Sequence, residues 1–230
     1  MEHEWVVPLL GQEVNLNTLI MVWAGMGVVL AVAWLFTRNL KVLPSKAQVV
    51  GEGFFEVCRG ITMATAGKRG DGFLWFVGSM FLFILTANLM GQLPLRLFHI
   101  PAGELKAATA DINTTAALAI ASLIMYFAYG ISKKGLRYFK HYLSPDPWYI
   151  GLCFLPLNVL EDLTRPGSLL IRLYFNILVG EILSGIAMGV TPYVLPSMVI
   201  FLELFVAVVQ AYIFAILSSV YISMLSDDHH

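Results

Sequence analysis

Runs of about 20 consecutive apolar residues recur along this chain, and that is the length a helix needs to cross the hydrocarbon core of a bilayer. No other feature constrains the fold as tightly, because backbone polar groups in lipid must find their partners inside the spanning segment. One run covers Leu19 to Thr37, a second Phe73 to Leu93, and a third Thr115 to Ile131, where Lys133 and Lys134 end it. Two longer runs, Asp162 to Val190 and Val194 to Leu225, exceed a perpendicular crossing and predict tilted helices joined at Thr191-Pro192 as a long hairpin. The expected fold class is an all-α membrane protein of about five transmembrane helices. It forms one membrane domain over residues 1–230, with 1–17 as an outer N-terminal segment. The chain is 58% hydrophobic and 13% charged, which sets it apart from ordinary soluble domains. A net charge of −1, with no concentrated basic patch, argues against a nucleic-acid partner.

Between the first two spans, Ser45 to Lys68 is too polar to cross. Val50, Phe54, Val57 and Ile61 recur at i, i+4, i+7 and i+11, with Lys46, Glu56 and Arg59 elsewhere on the wheel, so the segment reads as an amphipathic helix at the membrane interface. The plainer alternative is a helix packed on a soluble partner. Asp146 to Leu160 is apolar but short and contains proline, which suggests a partial insertion of open depth. Basic residues cluster after the first span (Arg38, Lys41, Lys46, Arg59, Lys68, Arg69) and after the third (Lys133, Lys134, Arg137, Lys140), which predicts an outer N-terminus and a cytoplasmic C-terminus. The acidic start, MEHEW, lacks the positive flank of a secretory signal, so no cleavage is expected. Cys58 and Cys153 lie far apart and are expected to be reduced.

The residues that a membrane should exclude carry the functional signal. Arg172 lies inside the run RLYFNILVGEILSGI, where a central arginine costs about 2.5 to 3.5 kcal/mol on insertion scales and so should face a cavity or a carboxylate. The competing reading is an arginine snorkelling near a helix end. Arg172 and Asn176 share a face at i, i+4, and Glu203 and Gln210, seven apart, share another, so two polar faces can oppose each other. Glu181 is about 13.5 Å along the axis from Arg172 and on roughly the opposite side, too far for a local ion pair. Carboxylates offset from a fixed positive charge are what an interrupted cation path needs; the alternative is that each acid is simply hydrogen-bonded to a neighbouring helix. Gly185 and Gly189 form a GxxxG step, and Ala207, Ala211 and Ala215 a small-residue stripe; such stripes serve helix packing, and here they would also let a ring of helices slide past.

The stretches PLNVLEDLTRPGSLLIRLYFNILVGEIL and ELFVAVVQAYIFAILSSVYI, together with ANLMGQLP and TADINTT, resemble subunit a of F-type ATP synthases over nearly the whole chain. By this resemblance, Arg172 matches the arginine that faces the c-ring carboxylate and separates two aqueous half-channels. Glu181 and Glu203 match ionisable positions near the outer channel, Gln210 the glutamine close to the arginine, and Asn176 the asparagine of the arginine motif. Glu161 and Asp162 match carboxylates of the cytoplasmic exit, although acids favoured at a helix N-terminus by the macrodipole explain them equally well. The resemblance also makes Asp111, Asn113 and Asn88 candidate lining of the outer entrance. Phe175 departs from the family pattern R-L-F-G-N, placing a bulky ring where glycine is usual.

The function implied by the resemblance is non-catalytic: passing H+ or Na+ to and from the c-ring and coupling that flow to rotation and ATP synthesis. The implied partners are the c-ring, the peripheral-stalk b subunits and the bilayer, in a bacterial plasma membrane or an organellar energy-transducing membrane. No cofactor or metal is implied. There is no GxxxxGK[ST] loop for ATP and no HExxH, and the SDDHH end reads as a solvated tail. A self-contained secondary transporter or channel is the alternative; it would be expected to show paired repeats, which the sequence does not display.

Overall fold

A computed structural model describes residues 6–9, 12–38, 40–42, 44–92, 108–134, 148–191 and 194–224; the side chains of Glu161, Asp162, Arg165 and Glu181 fall outside the description. A small antiparallel hairpin, β1 (Val6–Leu9) and β2 (Gln12–Asn15), pairs Val6 with Asn15 and leads directly into α1 (Leu16–Thr37). Then come α2 (Lys46–Ala66), a 3₁₀ segment (Gly67–Gly72), α3 (Leu74–Gln92), a 3₁₀ turn (Ala108–Ala110), α4 (Ile112–Lys134), α5 (Trp148–Val190) and α6 (Val194–Met224). Five helical stretches are long and apolar enough to cross a membrane: Leu16–Thr37, Leu74–Gln92, Ile112–Ser132, Gly167–Val190 and Val194–Met224. This is the expected all-α, five-span class with its long C-terminal hairpin. The sequence does not signal the β-hairpin, since VVPL carries a proline and no clear alternation.

The boundary drawn between Asp146–Leu160 and the helix starting at Asp162 needs correction. From Trp148 onward the segment is the first part of α5, which runs unbroken for 43 residues through Pro156 and Pro166. Proline removes one backbone donor, and membrane helices tolerate it where neighbouring groups re-satisfy the freed carbonyl. At 1.5 Å per residue α5 is about 65 Å long, roughly twice the ~30 Å hydrocarbon core, so it must tilt strongly or project from the membrane. Its start at Trp148 also removes the macrodipole explanation for Glu161 and Asp162, which sit more than three turns inside the helix.

The start and end of α2 are set by local chemistry. Ser45 caps it by accepting from Gln48 N (3.3 Å), and Gly67, at φ +58°, closes it with its N–H on Met63 O. The 3₁₀ segment then folds back so closely that a Cβ on Gly70 would run into the Thr62 carbonyl, and Arg59 pairs with Asp71 at 3.5 Å. The predicted apolar stripe is divided. Ile61 is buried and Phe54 stacks on Phe81 (centroids 5.3 Å apart), but Val50 and Val57 face outward, because α2 rests on α3 and α6 through Phe54, Cys58, Ile61 and Thr62 instead. Hydroxyls tie the helix down: Thr65 Oγ1 bonds Ser219 Oγ, and Ser223 Oγ donates to Thr65 O (2.9 Å).

The core lies where α3 meets α6, their contact being the most extensive between any two helices described. Ala207, Ala211 and Ala215 are all buried, and the latter two pack with Phe81, Ile84 and Phe214. The alanine stripe therefore serves close packing inside the chain, which is how membrane helices without a strong hydrophobic drive gain contact. It does not face a neighbouring ring. Cβ atoms added at Gly185 or Gly189 would meet nothing within 4 Å, so that step lies on the outer surface.

Candidate ion-translocation site

A cavity of about 100 Å³ opens between α3, α5 and α6. Asn88, Gln92, Asn176 and Glu203 line it, with Ala207 and Leu183 among its apolar walls. Its volume is well above the ~10–15 Å³ that one water requires. Asn88 is buried near the end of α3, and the equally buried Thr109, on the 3₁₀ turn before α4, donates to its Oδ1 (2.9 Å). That bond fixes the amide and leaves Nδ2 without a hydrogen-bond partner among the described residues.

Gly180 brings the carboxylate into place. A Cβ there would lie 2.8 Å from Glu203 Oε1 and 3.0 Å from its Cδ, so glycine makes the room that the Glu203 head occupies. Arg172, Asn176 and Gly180 follow one another at four-residue steps on α5. Each step advances about 6 Å and turns about 40°, so the row winds from the outer face of the helix into the α5–α6 seam. The Glu203 carboxylate consequently stands about 12 Å along α5 from Arg172. In an antiparallel hairpin whose register is set by Gly180 and Glu203, the buried Gln210 comes about level with Arg172.

Arg172 is exposed and makes no ion pair with any described residue. Around it on α5, Ile171, Phe175 and Val179 are each more than half exposed, and Phe201 and Phe205 continue the apolar surface on α6. Phe175 meets Tyr174 edge-on (5.7 Å, 80°) and projects outward, so the departure from glycine adds bulk to the outer face beside the arginine.

The sequence model of the family described as ATP synthase A chain matches residues 19–223. The chain belongs to that family. The match reaches into all six helices and includes every residue lining the cavity. The chain is thus a multi-pass membrane subunit a, a non-catalytic stator component with a role in ion translocation.

Within this subunit a, the structure brings four of the sequence candidates, Arg172, Asn176, Glu203 and Gln210, onto one hairpin, and Asn88 joins them from α3. Asp111 and Asn113 stand elsewhere: Asp111 Oδ1 accepts from Asn113 N (2.8 Å) at the start of α4, Asn113 is exposed, and neither lines the cavity. Glu161, Asp162 and Glu181 belong to α5, with side chains outside the description. Two residues of the site are not singled out by the sequence alone. Gln92 follows Asn88, and Gly180 follows Asn176, each at the i, i+4 spacing that places them on the same faces. Among the described residues, no cluster of three or more His, Cys, Asp or Glu side chains forms a metal site.

Proposed function

We propose that this subunit a carries an ion, H+ or Na+, between two aqueous half-channels by way of the c-ring, with Arg172 as the barrier between them. The observation that supports this most is the placement of Glu203 in a polar cavity one side of the α5–α6 seam, about 12 Å along α5 from an exposed arginine. A guanidinium stays charged in proteins and, on an apolar surface, calls for a carboxylate from outside the chain. A c-ring carboxylate passing this face would be held ionised by Arg172 and could not exchange its ion directly across it. Asn88, Gln92 and Asn176 hydrate the approach, and Glu203, with Glu181 on the next residue after Gly180, hands the ion over. Gln210, about level with Arg172, keeps the guanidinium oriented.

Glu161 and Asp162 line the opposite exit in this reading, Asp111 and Asn113 stand near the outer mouth, and the b subunits of the peripheral stalk hold the stator in place. The clustering of basic residues after the first and third spans puts the N-terminus outside and the C-terminus in the cytoplasm. The test is ATP-driven pumping by the assembled complex in liposomes, with and without sodium. Glu203→Gln is expected to lower pumping by roughly tenfold or more, as loss of a relay carboxylate should; full pumping by that variant would remove Glu203 from the path. Sodium dependence of the wild type names the ion.

A further inference from the structure

Arg172 stands at an edge of α5. The helix buries Leu169, Leu173, Ile177 and Gly180, which share one side of it, and through Gly180 it meets Glu203 of α6. From Arg172, Asn176 and Gly180 step toward that seam. Phe175 steps the other way. Three residues on, it lies about 60° around the helix from Arg172 and about 4.5 Å further along the axis, the spacing at which side chains on a helix surface are neighbours. Phe175 is 52% exposed, with the exposed Ile171, Val179 and Ile182 around it. The guanidinium, itself exposed, therefore has an amide and a carboxylate toward one flank and an aromatic ring among aliphatic side chains on the other.

A fixed positive charge repels cations but does not repel water. At a given distance that repulsion is about fourfold weaker in bulk water than at the effective dielectric of about 20 found near a protein surface. An arginine therefore divides two aqueous spaces well only where water is kept from the flank by which an ion could pass it. The seam flank already opens toward the polar cavity, so the other flank has to be dry. We infer that Phe175 is the apolar half of the barrier. Its ring, against the c-ring, shuts water out beside Arg172 on the flank away from the Asn176–Gly180 seam, so that the guanidinium acts through a medium of low dielectric. The inference rests on the reading that Arg172 faces the c-ring, because a residue three positions away on the same exposed face meets the same partner. Where the family has glycine, such a seal has to come from the rotor's side chains; here the stator supplies it, and the rotor that fits this chain leaves room for a phenyl ring.

The test compares Phe175→Ala, Phe175→Leu and Arg172→Ala in the assembled complex in liposomes. It reads passive ion conduction under an imposed potential without nucleotide, ATP-driven pumping, and recovery of the complex. Because Phe175 lies outside the core, its truncation opens no internal cavity, and the complex should be recovered in full. Phe175→Ala is expected to raise the passive leak at least about fivefold over wild type. Phe175→Leu, which keeps a large apolar side chain on the flank, should bring the leak back to within about twofold of wild type. A wild-type leak in Phe175→Ala beside a raised leak in Arg172→Ala would overturn this inference alone, leaving the ring as a lipid-facing side chain and the arginine barrier intact. A leak in Phe175→Ala that Phe175→Leu does not lower would overturn it as well, since filling the flank would then make no difference. Normal pumping without a leak in Arg172→Ala would overturn the barrier itself, and the seal with it.

Discussion

The cavity between α3, α5 and α6 is about 100 Å³ and carries three amides and a carboxylate among apolar residues, whereas the groove between α1, α2 and α3 is about 720 Å³ and mainly apolar. The larger recess is lined mainly by hydrocarbon, and the smaller concentrates polar side chains. What distinguishes an ion path in this subunit is therefore the kind of atom at the wall. A buried amide such as that of Asn88 is worth its desolvation only where something polar fills the space beside it. The two ends of α3 consequently line different recesses: Asn88 and Gln92, in its last turns, line the cavity, while Leu74 and Leu82, in its first half, line the groove.

Exchanging the chemistry of one recess for that of the other separates the two most directly. Asn88→Leu removes the amide from the polar cavity and leaves Thr109 Oγ1 without its acceptor; ATP-driven pumping by the reconstituted complex should fall roughly tenfold, with the assembled complex still recovered. Ser79→Trp in the groove should lower pumping by no more than about twofold, because it meets mainly apolar surface away from the cavity. The reverse ranking would show that the groove, rather than the cavity, carries the ions.

A smaller effect is expected at Gly180. Gly180→Ala places a methyl against the Glu203 head, which is the far end of a flexible side chain, so the helix should keep its stability while the carboxylate moves. Pumping should drop severalfold at unchanged thermal stability. Gly53→Ala on α2, whose added Cβ meets nothing within 4 Å, should leave pumping as it is and raise stability by up to about 1 kcal/mol through helix propensity alone.

The smallest effect reads the groove without disturbing it. Burial pushes the Cys58 thiol up from 9.0 to about 11, partly opposed by a backbone hydrogen bond. The native state thus holds this proton more tightly than the unfolded chain does, and the associated stability is full below pH 9 and lost as pH rises through about 11. Alkylation of Cys58 by iodoacetamide should be slow at pH 7.5 and rise about tenfold per pH unit toward 11. A rate at pH 7.5 matching that of a free thiol would mean the groove wall is open to water.

Much of this is legible in the sequence, because the membrane makes strong demands. The lengths of the apolar runs are set by bilayer thickness, and the cost of Arg172, Glu203 and Gln210 in such runs marks them without any fold in hand. The rest depends on which helices become neighbours. Gln92 gains its meaning from α5 and α6 across the cavity, and Gly180 from the Glu203 head. The alanine stripe at 207, 211 and 215 has the same spacing whether it faces α3 or a separate ring. Pro156 counts against a full span in the sequence, yet α5 runs through it.

If Arg172 separates two ion pathways meeting at this hairpin, its removal should join them. The most direct test is Arg172→Ala in the assembled complex, measured in liposomes as ATP-driven pumping and as passive ion conduction after a potential is imposed. Loss of pumping together with a raised passive leak is the predicted result; normal pumping without a leak would contradict it.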